Sequence, residues 1–173
     1  MIRAAVLTVS DSALAGTRED LSGPVLTERA YEFGWRVAHI KTVPDEISEI
    51  AAAVQGWADS GEVDVILCTG GTGIAPRDVT PEAIRSVAPR EISGFGEVMR
   101  AEGRKSTKFA PLSRGGAFTR GPVLILALPG SPRGAVESLN AVSDLIPHAV
   151  NLLQGRTEHD SKPDLGTEHP KKG

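Results

Sequence analysis

The sequence of 173 residues contains one cysteine, Cys68. A single cysteine cannot form an intrachain disulfide and has no second cysteine with which to make a zinc site, so we expect Cys68 to be a reduced core residue. The sequence also lacks any apolar run close to the roughly 20 residues that a membrane-spanning helix needs, and its N-terminus has no cleavable signal pattern. We therefore expect a soluble, cytoplasmic protein without a membrane partner.

An excess of positive charge is missing too. The chain has 19 Lys and Arg against 22 Asp and Glu, a net charge of −3, which argues against binding nucleic acids through bulk charge and favours small solutes as partners. Residues 77–120 are an exception, with nine basic against five acidic residues, and we expect them to supply an anion-attracting rim. A solvated helix face over 94–108 is the alternative for several of these cations. The rim candidates are Arg77, Arg100, Arg104, Lys105, Lys108, Arg114 and Arg120.

Hydrophobic patterning predicts an α/β domain with a mostly parallel sheet. Short apolar runs at 4–9, 63–68 and 123–128 are typical of strands buried on both faces, and segments with apolar residues at helical spacing lie between and after them. The mixed polarity of 35–43 predicts a strand nearer the sheet edge. Residues 112–119, joined tightly to the strand at 123, predict an antiparallel strand. We expect one domain over 1–154 and a polar tail over 155–173.

Unusual loops follow the predicted strands. Ligands of parallel α/β sheets bind beyond the carboxyl ends of the strands, so these loops should open on one side and form the site. They are Ser10-Asp11-Ser12, Pro44-Asp45-Glu46, Thr69-Gly70-Gly71-Thr72-Gly73 with Arg77-Asp78-Val79-Thr80-Pro81-Glu82, and Pro129-Gly130-Ser131-Pro132.

The glycines of the third loop leave backbone amides open to an anion such as phosphate, although a plain turn is the alternative. The loop has neither the Walker ending nor the dinucleotide-binding glycine pattern, which disfavours ordinary P-loop and Rossmann cofactors. Asp11, Asp45 and Asp78 place carboxylates on three loops, and magnesium prefers carboxylate and phosphate oxygens. A helix cap at Asp45 and a turn-stabilising role for Asp78, beside the better cap candidate Thr80, are the alternatives.

These loops resemble those of the molybdenum cofactor biosynthesis family that includes the MogA and MoaB proteins and the gephyrin G domain. Gly94-Phe95-Gly96-Glu97 and Leu112-Ser113-Arg114 extend the resemblance, and the motifs occur in the family's order and approximate spacing over about residues 3–154. The resemblance implies a three-layer α/β/α domain that binds molybdopterin and assembles as a homotrimer or a hexamer, alongside other proteins of the same biosynthesis.

Catalytic family members transfer an adenylyl group from magnesium ATP to molybdopterin and release pyrophosphate. By resemblance, Asp45 and Asp78 are the catalytic and magnesium-binding candidates, with Asp78 the stronger candidate for the metal. The candidates for binding ATP and molybdopterin are Ser10, Asp11, Gly70, Gly71, Thr72, Gly73, Thr80, Glu97, Ser113, Arg114, Gly130, Ser131 and Pro132.

Two other functions stay open from the sequence. The first is a non-catalytic module, as in the MoaB type, that holds molybdopterin or its adenylylated form for a partner. The second, weaker hypothesis is a flavin or dinucleotide protein of similar architecture. Release of pyrophosphate separates an enzyme from a binding module.

Overall fold

Strands and helices alternate along the computed structural model, which describes residues 1–156. The tail predicted over 155–173 therefore lies, apart from its first two residues, outside the described residues. The strands are β1 (Arg3–Val9), β2 (Arg36–Val43), β3 (Val65–Thr69), β4 (Arg90–Ile92), β5 (Gly116–Arg120) and β6 (Val123–Leu128). The helices are α1 (Asp11–Leu14), α2 (Ser22–Glu32), α3 (Ile47–Asp59), α4 (Thr80–Val87), α5 (Ser93–Gly103), α6 (Pro132–Val142) and α7 (Ile146–Leu153), with a 3₁₀ turn at Ala110–Leu112.

The six strands form one mixed sheet in the order β2-β1-β3-β6-β5-β4. Strands β2, β1, β3 and β6 are parallel, so their carboxyl ends lie along one edge, as predicted. The edge position of β2 and the antiparallel pairing of β5 with β6 are also confirmed. The three-residue strand β4, which pairs antiparallel with β5, was not predicted, because none of its residues is buried.

Helices cover both faces of the sheet, which gives the three layers. Alternate residues of the buried strands point to opposite faces, as in β6, where Leu124 and Leu126 join one core and Ile125 the other. The first core also contains residues of α2, α5, α6 and α7, and the second contains residues of α3 and α4. Cys68 is fully buried in the second core, and burial raises its pKa to about 12, as expected for an inert core thiol.

Two local predictions from the sequence are wrong. The Ser22-Gly23-Pro24 sequence predicts an N-cap at Ser22, but α2 already includes Ser22, and the side chain of Asp20 accepts the Gly23 N–H at 2.9 Å. Apolar residues at helical spacing over 139–153 predict one helix, but α6 ends at Val142 and α7 begins at Ile146. None of the helices in residues 1–156 combines the length and apolarity needed to cross a bilayer.

Candidate active site at the carboxyl edge of the sheet

Two cavities lie side by side at the carboxyl edge of the parallel strands. The first, which we call the Asp45 cavity, has a volume of about 390 Å³, and the second, the Asp78 cavity, about 440 Å³. Their common wall consists of Gly71, Gly130 and Ser131. The Asp45 cavity is lined by Thr8, Val9, Ser10, Ala13, Arg18, Glu19, Asp20, Leu21, Ser22, Asp45, Gly70, Gly71, Gly130, Ser131 and Pro132. The Asp78 cavity is lined by Gly71, Thr72, Gly73, Ile74, Asp78, Phe109, Leu112, Ser113, Pro129, Gly130 and Ser131.

Glycine is required at the common wall and next to it. Gly70 and Gly71 have φ angles of +102° and +63°, in the region that side chains rarely adopt. A Cβ at Gly70 would overlap the Val9 carbonyl oxygen, and one at Gly71 would overlap Thr80 Oγ1 and lie 3.2 Å from Asp45 Oδ1. The two loops of the wall are also close, because a Cβ at Gly130 would lie 3.2 Å from Gly70 Cα. The backbones of these two loops therefore pack directly against each other.

Asp11 and Asp45 lock the loops after β1 and β2 together. The Asp11 N–H donates to Asp45 Oδ2 at 2.9 Å, and the Asp45 N–H donates to Asp11 Oδ1 at 3.0 Å. This contact excludes the alternative that Asp45 only caps α3, since no side chain caps that helix. The reciprocal pair holds the Asp45 carboxylate at the Asp45 cavity.

The environment of Asp45 disfavours its charge. Burial raises its pKa, and the negative charges of Asp11 and Asp78 raise it further, although the Asp11 N–H and the Arg77 charge act in the opposite direction. By contrast, the Arg77 guanidinium, together with the Asp45 N–H, lowers the pKa of Asp11. Asp45 is thus a carboxylate whose charge an added cation would stabilise.

The carboxylates fit a magnesium site that is completed by phosphate oxygens. Asp45 and Asp78 lie close enough for the charge of one to affect the pKa of the other. Within residues 1–156, however, no three His, Cys, Asp or Glu side chains are grouped to hold a metal by themselves. Because magnesium usually binds through one or two carboxylates plus substrate phosphates, this donor set suits a cation that arrives with a nucleotide.

Asp78 also shapes its own loop. Its Oδ2 accepts the Ala75 N–H at 2.8 Å, so the turn-stabilising role considered for it is present. A Cβ at Gly73 would lie 2.6 Å from the same oxygen, which places that carboxylate against the glycine loop. Since Asp78 also lines a cavity, the structural role and a role in binding are compatible.

Arg114 braces the glycine loop from the other side. Its guanidinium donates to the Gly73 carbonyl at 2.7 Å and to the Asp78 carbonyl at 2.5 Å, and it pairs with Glu82. The backbone N–H of Arg114 donates to the Thr72 carbonyl at 2.8 Å. Arg114 therefore holds the loop that carries Asp78, while neighbouring Ser113 lines the cavity itself.

Two threonines predicted to bind ligand make contacts between the loops, and one of them, Thr72, also lines the Asp78 cavity. Thr80 is fully buried and its hydroxyl donates to the Gly70 carbonyl at 2.8 Å; it therefore does not cap α4. Thr72 is also buried, and its hydroxyl lies 3.5 Å from the Leu128 carbonyl. Ser10 and Ser131 cap α1 and α6, respectively, and both line the Asp45 cavity.

Some predicted residues lie elsewhere. Glu97 is exposed on α5 and lines neither cavity. Most cations of the expected rim are engaged in contacts within the protein. Arg77, Arg100, Arg104, Lys105, Arg114 and Arg120 all donate to protein carboxylates or carbonyls. Arg120 is at the amino end of β6, opposite the cavities, where it pairs with Asp59.

Sequence reasoning missed Asp20 as a site residue. Its Oδ2 accepts the Thr8 hydroxyl at 2.6 Å and its Oδ1 accepts the Gly23 N–H, and both Thr8 and Asp20 line the Asp45 cavity. A Cβ at Gly23 would lie 2.5 Å from both Thr8 Oγ1 and Asp20 Oδ2, so this contact depends on glycine. The available signal was an acidic residue just before the Ser22-Gly23-Pro24 helix start.

The fold and the site together define a class: a three-layer α/β protein with a glycine-lined, carboxylate-flanked double cavity at the carboxyl edge of its sheet. Residues 5–148 match the family described as probable molybdopterin binding domain. The chain belongs to this family of molybdenum cofactor biosynthesis proteins.

Similar proteins include both single-domain and longer chains. The chain is 37% identical over 172 residues to a protein from Helicobacter pylori named molybdopterin adenylyltransferase, with 98% of each covered. It is 42% identical over 149 residues to the Drosophila melanogaster molybdenum cofactor synthesis protein cinnamon, and 86% of this chain covers 25% of that protein. The chain thus spans the Helicobacter relative almost fully but only a part of cinnamon.

Solved structures agree in fold. The molybdopterin biosynthesis enzyme MoaB from Thermus thermophilus is 47% identical, with a TM-score of 0.84 over 90% of this chain and 98% of that chain. A MogA structure is 33% identical, with a TM-score of 0.82 over 87% of this chain and 99% of that chain. The predicted three-layer fold and the family resemblance are therefore confirmed.

Proposed function

We propose that this chain is a molybdopterin adenylyltransferase. In the proposed reaction, a terminal phosphate oxygen of molybdopterin attacks the α-phosphorus of ATP. A bond forms between that oxygen and the α-phosphorus, the bond from the α-phosphorus to the bridging oxygen of the β-phosphate breaks, and pyrophosphate leaves. The products are adenylylated molybdopterin and pyrophosphate. The name of the Helicobacter relative, which this chain matches along almost its full length, supports the activity.

The observation that carries the proposal is the pair of cavities with a shared wall. A reaction between two phosphorylated molecules needs two sites that meet where the phosphates react, and Gly71, Gly130 and Ser131 line both cavities. Each cavity also contributes one candidate carboxylate, Asp45 or Asp78. We propose that one substrate occupies each cavity and that the phosphates meet at the shared wall.

The residues of the wall suit phosphoryl-type transfer, which depends mainly on positioning and on neutralising charge. Because glycines line the wall, an anion can approach its backbone closely. Asp45 and Asp78 would hold magnesium, which supplies positive charge to the phosphate oxygens when it is bound. Asp11, Thr80 and Arg114 keep the carboxylates and the glycine loop in place through the contacts described above.

An apolar side pocket of about 200 Å³ adjoins the Asp78 cavity and shares Phe109, Ser113, Pro129 and Ser131 with it.

We also propose that the chain works in the cytoplasm as a homotrimer or a hexamer, together with other molybdenum cofactor biosynthesis proteins. Light scattering coupled to size-exclusion chromatography measures the mass of the assembly and tests this part separately. A monomer mass would contradict it.

A pyrophosphate-release assay tests the proposed activity. Incubation with molybdopterin, ATP and magnesium is expected to release pyrophosphate, and Asp78→Asn is expected to abolish the release. Asp144→Asn, the same change at an exposed aspartate between α6 and α7, is the matched control and should leave turnover unchanged. Tight binding of molybdopterin without pyrophosphate above background would instead identify a non-catalytic binding module. Unchanged turnover in Asp78→Asn would contradict its role in the reaction.

A further inference from the structure

The Arg77 guanidinium makes four polar contacts beside the site, and none of the roles proposed above accounts for them. It lies in the loop between β3 and α4, and its Nε and Nη2 donate to the two carboxylate oxygens of Asp11 at 2.6 and 3.0 Å. The Nη2 group also donates to Glu46 Oε1 at 3.0 Å and to the Asp45 carbonyl at 3.2 Å. One guanidinium thus joins the loops that follow β1, β2 and β3.

These contacts support Asp45 in two ways. Arg77 holds Asp11 through a two-point fork, and Asp11 in turn donates its N–H to the Asp45 carboxylate and accepts the Asp45 N–H. Arg77 also binds the Asp45 carbonyl directly. The direction of the Asp45 carboxylate therefore depends on a chain of hydrogen bonds that ends at Arg77.

The guanidinium is directed at the protein and away from the substrate cavities. Arg77 lines neither the Asp45 cavity nor the Asp78 cavity. It lines a separate cavity together with Asp45, Glu46 and Pro76. This placement argues against the sequence-based expectation that Arg77 attracts the incoming anion.

We infer that Arg77 is a positioning residue for the transfer reaction: its guanidinium, held across three loops by Asp11, Glu46 and the Asp45 carbonyl, fixes the Asp45 carboxylate for catalysis. The inference rests on the proposed function, because it assigns Arg77 a part in that reaction. It differs from the rim hypothesis in a measurable way. A positioning residue needs the fork geometry of arginine, whereas an anion-attracting residue needs only positive charge.

Arg77→Lys separates these two roles because it keeps the charge and removes the fork. A matched control exists at the opposite end of the sheet. Arg120 forms the same kind of two-point fork with Asp59, at 2.8 and 2.7 Å, and also donates to a backbone carbonyl, that of Val87. Arg120→Lys therefore removes an equivalent fork far from the cavities.

Steady-state kinetics of pyrophosphate release is the first measurement. Arg77→Lys is expected to lower kcat by about 10- to 100-fold, the usual cost of losing a residue that orients a metal-binding carboxylate, and to change KM for ATP less than about threefold. Arg120→Lys is expected to change kcat less than about twofold. Wild-type kcat in Arg77→Lys, or a raised KM for ATP with unchanged kcat, would overturn the inference.

Backbone amide spectra give a second readout that does not need turnover. In ¹H–¹⁵N spectra of the full chain, the amide resonances of Asp11 and Asp45 should shift in Arg77→Lys and stay in place in Arg120→Lys, because each amide donates to the other residue's carboxylate. Unmoved amides in Arg77→Lys would overturn the inference. If wild-type protein releases no pyrophosphate, the proposed function fails. The amide shifts still decide whether Arg77 holds the two hydrogen bonds between Asp11 and Asp45 in place.

Discussion

Each end of the parallel sheet holds an aspartate, buried at the amino end and half-buried at the carboxyl end, and the surroundings of the two carboxylates differ. At the amino end, Asp64 accepts the Arg3 N–H at 2.8 Å and the Arg3 guanidinium at 3.1 and 2.7 Å, and Gln154 donates to it at 2.8 Å. At the carboxyl end, the Asp45 side chain accepts one backbone N–H, that of Asp11. One carboxylate is fully paired and the other is not.

The pKa shifts follow this difference in pairing. Burial acts to raise the pKa of Asp64, but the hydrogen bonds and charge of Arg3, aided by Gln154, outweigh it and hold the pKa below its usual value. Burial also raises the pKa of Asp45, and there the neighbouring carboxylates of Asp11 and Asp78 add to the rise. A paired carboxylate stabilises the fold, whereas an underpaired one at a cavity is available for a ligand.

Removal of the Asp45 charge should affect activity more than any other change proposed here. Asp45→Asn should lower the rate of pyrophosphate release by at least about 100-fold, because it removes a charge placed to stabilise the reacting phosphates through a cation. Its free energy of unfolding at pH 7 should stay within about 1 kcal/mol of wild type, since the amide oxygen can still accept the Asp11 N–H. Urea unfolding and the release assay measure both; a large loss of stability would mean that Asp45 is mainly structural.

Two glycines with positive φ allow a second comparison, since Gly71 lies at the shared wall and Gly34 follows α2, away from the cavities. Gly71→Ala should lower the free energy of unfolding by about 1–3 kcal/mol and reduce activity, because its φ is positive and the new Cβ overlaps Thr80 Oγ1. Gly34→Ala, with a φ of +74° but nothing within 4 Å of the new Cβ, should cost about 1 kcal/mol and keep full activity. Equal activities in the two variants would show that the wall tolerates a side chain.

Asp64→Asn should lower stability and leave activity intact, which is the opposite of the effect expected for Asp45→Asn. We expect turnover to be unchanged and the free energy of unfolding to fall by about 1–3 kcal/mol, because Arg3 loses its carboxylate partner. The effect stays below that of a fully buried pair because 40% of the Arg3 side chain is exposed. Reduced turnover with unchanged stability would reverse the roles assigned to the two ends.

The stability difference between wild type and Asp64→Asn should depend on pH in a direction set by the pKa of Asp64. The pKa of Asp64 is lowered in the folded protein, so its stabilising contribution is full above the unfolded value of about 4 and is lost as the pH falls through the folded value. The difference in unfolding free energy between wild type and Asp64→Asn should therefore be constant from about pH 5 to 7 and shrink below about pH 4. A difference that grows toward acid pH would contradict this assignment.

The fold could be predicted from the sequence where its signals are local. The apolar run 123–128 is β6 to the residue, and the parallel strands place the four loops at one edge as expected. Glycines after helices, such as Gly34, have positive φ as expected for helix ends. Strand β4 could not be predicted, because three residues without a buried position carry no periodic signal.

The site could be predicted only in part, since its contacts are distant in sequence. Asp45 and Asp78 line cavities at the predicted edge of the sheet, but their roles in the reaction stay predictions. The sequence gives no indication that Arg77 contacts Asp11, 66 residues away, or that Arg114 binds the backbone of the glycine loop. Charge counting therefore assigned these arginines to an anion, whereas the fold directs them to protein acceptors.

Transfer of the α-phosphate tests whether two phosphorylated substrates meet at the wall between the two cavities. Wild-type protein would be mixed with molybdopterin, magnesium and ATP labelled at the α-phosphate, and the products separated. We expect the label to appear on molybdopterin in an amount equal to the pyrophosphate released, and we expect Asp45→Asn and Asp78→Asn both to prevent this transfer. Label that remains in ATP while molybdopterin is bound would contradict the proposed reaction.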